Sequence, residues 1–93
     1  MQSGYGIFGG QAKATAELKF SIERARWVQH EEWHPDQKGT LYKDGSYTLE
    51  VPYSDERELI GDILRIGSDV KVMGPATLVK QMKEVLQKML KQY

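Results

Sequence analysis

The chain has 93 residues, 40% of them hydrophobic and 28% charged, with a formal net charge of zero. That profile fits one ordinary globular domain, and its balanced charge argues against binding nucleic acid or membrane through bulk electrostatics. With no cysteine there is neither a disulfide framework nor a thiolate metal site. No apolar run is long enough to span a bilayer, and the opening MQSGYGIFGG lacks the basic and apolar regions of a signal peptide, so a cytoplasmic location is expected.

From Ala12 to Phe20 apolar and polar residues alternate. Ala12, Ala14, Ala16, Leu18 and Phe20 fall on one side, which predicts a half-buried strand. Ser21 is a good N-cap, and Ile22, Ala25 and Val28 follow at helical spacing. This helix should end by about residue 31, because Pro35 pushes His34 out of the α region. TLYKDGSYTLEVPY then predicts a hairpin around Asp44-Gly45. A two-residue turn there would pair Tyr42 with Tyr47 and Thr40 with Leu49, with Tyr47, Leu49 and Val51 on one face. A second helix starts near Asp55, carries an apolar stripe of Leu59, Ile60, Ile63 and Leu64, and stops at Gly67. DVKVM predicts a last strand, Gly74-Pro75 closes it, and a final helix lines up Leu78, Met82, Val85, Leu86, Met89 and Tyr93. The order β-α-β-β-α-β-α predicts an α+β fold, a ferredoxin-like plait with an antiparallel sheet and an added C-terminal helix.

One stretch raises the question of catalysis. His30, Glu31 and His34 in HEEWHP spell H-E-x-x-H, the pattern in which two helical histidines hold zinc and a glutamate activates water. That chemistry needs both imidazoles on one face of a continuous helix, and here the second histidine adjoins a proline. The longer form of the motif also fails, with Gln37 in place of its glycine and Thr40 in place of its third histidine. Glu50, Glu56 or Glu58 could serve as a downstream ligand only from a strand or a helix start. The sequence is therefore read as non-catalytic, with no metal and no cofactor.

The same segment has a second feature. On a helical wheel Glu23, Arg26, Trp27 and His30 share one face, opposite Ile22, Ala25 and Val28. Trp33 follows at the helix exit. A large aromatic between an arginine and a histidine on an outward stripe fits an interaction surface, and Arg24, Arg26, Trp27, His30 and Trp33 are the candidate residues. Three roles stay open for Trp27: packing beneath a loop or the C-terminal helix, contact with another domain or subunit, or stacking on a ligand or base. The lysines of the last helix read as a solvated face, although its apolar side is long enough for part of it to meet a second copy.

These segments carry a family resemblance. YGIFGG (5–10), FSIERARWVQHEEWHPDQ (20–37), DGSYTLEVPYSDERELIGDILRIGSDVKVMGP (44–75) and the helix after them resemble the C-terminal part of bacterial WYL-domain transcriptional regulators, the extension called the WCX domain. The ordered thread DG, then LI..IL..G.DV.V..P, is its most specific element. Trp33-His34-Pro35-Asp36-Gln37 look like a recurring run at the helix-to-strand passage. The resemblance implies an N-terminal winged helix-turn-helix, a central WYL effector domain and this extension. It also implies transcription control by a bound effector, in several members a nucleic-acid fragment, with an extension that dimerises and transmits the signal without catalysis. Residues 1–10 would be a linker from a preceding WYL-type module and 11–93 the domain itself. Expected partners are the WYL and helix-turn-helix domains of the same full-length protein, a second copy, and a nucleic-acid or small-molecule effector. DNA would be contacted only through the N-terminal domain, which this chain lacks, and no membrane is involved. A stand-alone plait sensing a small molecule between its copies is the competing expectation.

Overall fold

The computed structural model describes residues 14–93. The expected linker over 1–10 and the strand start at Ala12 lie outside those residues. From Ala14 the order follows the sequence pattern: β1 (Ala14–Phe20), α1 (Ile22–Val28), β2 (Lys38–Leu41), β3 (Tyr47–Tyr53), α2 (Glu56–Ile66), β4 (Val70–Gly74) and α3 (Ala76–Leu90). A single 3-10 turn, Gly67–Asp69, joins α2 to β4. The fold is α+β, with a four-stranded antiparallel sheet ordered β2-β3-β1-β4 and three helices.

Period-two alternation in β1 explains where the core sits. Ala16, Leu18 and Phe20 pair with Val51, Leu49 and Tyr47, and all six are buried. Leu18 and Phe20 also pair with Val72 and Val70 of β4, extending the apolar surface toward that edge. Ala25 and Val28 of α1, Leu59 and Ile63 of α2, and Leu78 and Met82 of α3 complete one core. Each fully buried side chain of this kind contributes roughly 1.5–3 kcal/mol relative to exposure.

Helix ends follow the capping residues. The Ser21 hydroxyl accepts from Arg24 N–H at 3.1 Å. Ser21 also ties the start of α1 to the turn before β4, since its N–H donates to the Asp69 carbonyl at 2.9 Å. The Asp55 carboxylate accepts from Arg57 N–H at 3.0 Å at the head of α2, and Gly67 closes that helix with a φ of 82°.

The hairpin differs from its expected form by one residue of register. Leu41 pairs with Tyr47, Thr40 with Thr48 and Gly39 with Leu49, in place of Tyr42 with Tyr47 and Thr40 with Leu49. Tyr42 N–H donates to Ser46 O at 2.9 Å, and Gly45 N–H donates back to Tyr42 O at 3.0 Å. Lys43-Asp44-Gly45 is therefore a three-residue loop with Gly45 at φ 94°, the turn-plus-bulge alternative to a two-residue turn. Asp44 favours it by accepting from Ser46 N–H at 2.9 Å and Ser46 Oγ at 2.7 Å. Those bonds hold its carboxyl below the usual carboxylate value. The inward face of β3 is unaffected, because Tyr47, Leu49 and Val51 still alternate into the core.

The one-residue shift places Gly39 beneath the Tyr47 ring. A Cβ built on Gly39 would overlap the Tyr47 hydroxyl oxygen and the Cζ that bears it. Tyr47 is buried, so its ring has little freedom to withdraw. Gly39→Ala should therefore destabilise the domain by about 1–3 kcal/mol, the usual cost of overpacking. Urea denaturation followed by far-UV circular dichroism measures this, and a neutral result would show that the ring moves aside freely.

Candidate functional site

The structure separates the five candidate residues. α1 stops at Val28, and the chain leaves it through two tight turns in which His30 N–H donates to Trp27 O at 3.1 Å and Glu31 N–H to Val28 O at 3.0 Å. Arg26, Trp27 and His30 are exposed, with Trp27 at 64%. The first role left open for Trp27, packing beneath a loop or α3, does not describe its place among the described residues. Arg24 is half-buried, and its Nε is buried with no hydrogen-bond partner among the described residues.

Trp33 turns the other way. It is 7% exposed, and its ring meets Phe20 edge-on at 6.0 Å and 75°. The surface expected from the sequence thus loses this residue to the core. An indole at the helix exit is consistent with either side of the wheel, so only the path of the following loop decides it.

That loop also settles the geometry of HEEWHP. Gln37 organises it: its Oε1 accepts from Trp33 N–H at 2.6 Å and His34 N–H at 3.1 Å, while its Nε2 donates to Glu31 O at 2.8 Å. The indole N–H of Trp33 donates to Glu31 Oε1 at 3.0 Å. His34 Nδ1 accepts from Asp36 N–H at 3.0 Å. His30 and His34 therefore share no helical face, and two groups of the motif are engaged in holding the loop. Among the described residues no cluster of three or more histidine, aspartate or glutamate side chains could hold a metal ion.

A second feature is built from other elements. Between α2 and α3, above β4, runs an apolar groove of about 530 Å³. Its floor is Val70 and Val72, one wall is Ile63 and Leu64, and the other is Val79, Met82, Leu86 and Met89. The sequence signal for it was the nearly continuous apolar stripe of the last helix, which only half enters the core: Leu78 and Met82 are buried, but Leu86, Met89 and Tyr93 are exposed.

A family model for the WCX domain matches residues 12–90. The chain belongs to the WCX domain family. No curated protein matches it. In this WCX domain the family match spans both the α1 ridge with its Gln37-centred loop and the groove beside α3. No helix among the described residues is long and apolar enough to cross a membrane.

Proposed function

We propose that this WCX domain is the non-catalytic regulatory part of a cytoplasmic, WYL-family bacterial transcription regulator. The observation that carries the reading is the family match over residues 12–90. The antiparallel order β2-β3-β1-β4 supports assigning the fold as a ferredoxin-like plait with α3 added. Its mechanism is coupling. Effector bound by the neighbouring WYL module favours one arrangement of two copies, and that arrangement sets the spacing of the DNA-binding heads.

The exposed α1 ridge is where this domain would meet its second copy or the adjoining module. Trp27→Ala should leave folding stability within about 0.5 kcal/mol, as for exposed positions generally. It should weaken self-association about tenfold or more, because truncated interface tryptophans commonly cost 2 kcal/mol or more. Sedimentation velocity over a concentration series reads this directly, and an unchanged association constant removes the ridge from the interface. The functional test uses the parent protein: deleting residues 12–90 should preserve operator binding by the head but abolish its response to effector. A parent without a helix-turn-helix, or one whose response survives the deletion, overturns the proposal.

A further inference from the structure

The groove between α2 and α3 shares no lining residue with the α1 ridge. Its walls and floor are aliphatic or methionine side chains, with Lys71 and Lys83 among its lining. The apolar surface does not end with the groove. Beyond Met89, itself part of the groove's wall, Leu90 continues it in the last turn of α3 at 73% exposure. α3 has 15 residues, so this strip runs along a helix of about 22 Å. A small molecule filling the groove would leave the distal part bare, whereas a docked helix of three to four turns covers a strip of that length.

Charge selects among helices. Lys83 of α3 and Lys71 of β4 stand among the groove's lining, which holds no acidic residue, while Lys80, Lys88 and Lys91 fall on faces of α3 turned away from Leu86 and Met89. Among the described residues none of these lysines is in an ion pair; the pairs present join Arg57 to Asp55 and Arg65 to Asp62. A second copy presenting its own α3 would set like charges against each other. Elsewhere in the chain, the acidic helix α2 has already turned its stripe, Leu59 and Ile63, into the core. α1 has only seven residues, and residues 1–13 contain no acidic side chain. We infer that the α2–α3 groove docks an amphipathic helix of another domain or protein whose apolar stripe is flanked by acidic residues.

The test uses two synthetic 18-residue helical peptides that share one leucine stripe at i, i+3, i+4 and i+7 spacing, one flanked by glutamate and the other by lysine. Fluorescence anisotropy with this chain should show saturable binding of the acidic peptide. Binding should be at least tenfold weaker for the basic one, and raising salt should weaken the acidic complex. Met89→Glu, at an exposed position, should reduce acidic-peptide binding at least tenfold while circular dichroism and the melting temperature stay unchanged. Leu86→Glu is the second variant should the first perturb folding. Equal binding of both peptides, or full binding by folded groove variants, overturns the inference. So does a dimer that Met89→Glu dissolves, which would make a second copy the occupant. Saturable binding of laurate with neither peptide bound would assign the groove to a small anionic amphiphile and overturns it equally.

Discussion

Trp33→Ala is expected to destabilise the domain by about 3–5 kcal/mol, the range for truncating a buried aromatic. Total stability for a domain of this kind is on the order of 5–15 kcal/mol, so much of the folded margin would be lost. The indole is only 7% exposed and closes one side of the core against Phe20. Trp33→Phe separates packing from hydrogen bonding. It keeps a ring against Phe20 but gives up the bond to Glu31, a net loss of about 1 kcal/mol from the missing bond plus a packing loss from the smaller ring. Urea denaturation of both variants supplies the comparison. A nearly neutral Trp33→Ala would mean that the ring is not in the core at all.

Gln37→Ala should cost about 2 kcal/mol, although Gln37 is itself only half-buried. One amide side chain accepts from two successive backbone N–H groups and donates to the carbonyl of Glu31, so its removal strips three bonds from a loop with no strand or helix of its own. Gln37→Glu keeps the acceptor but loses the donor, and should fall between the alanine variant and the parent. Amide hydrogen exchange is the sharper measurement: protection at Trp33 and His34 should fall in Gln37→Ala by more than the loss that β1 and β3 amides share with the global stability. A fall there no larger than the sheet's, or none anywhere, would contradict this local role.

How far the sequence was legible depended on whether the deciding interaction was local. Strand β1, the Ser21 cap, the Gly67 stop and the inward alternation of β3 rest on residues within a few positions of one another, and the structure has them where the pattern placed them. The hairpin register did not follow the Asp44-Gly45 signal, because Asp-Gly serves both two-residue and three-residue loops. Here the Asp44–Ser46 bonds accompany the longer one. For the candidate site, helix periodicity was enough for Arg26 and Trp27. It could not place Trp33, whose direction is set beyond the helix by Gln37 reaching back to Glu31. The groove was half legible: the stripe on α3 was plain, but the opposing wall from α2 and the floor from β4 exist only once the chain has folded.

The two borders of the sheet limit how copies of the domain can join. β2, on one border, is four residues long and begins with Lys38, features that discourage strand addition. At the other border β4 spans only five residues and is followed at once by α3, so it offers little length for docking a foreign strand. Continuous sheet growth from chain to chain, the route to fibrils, is thereby disfavoured. Assembly is left to side-chain surfaces, which can release a partner without tearing a backbone ladder apart.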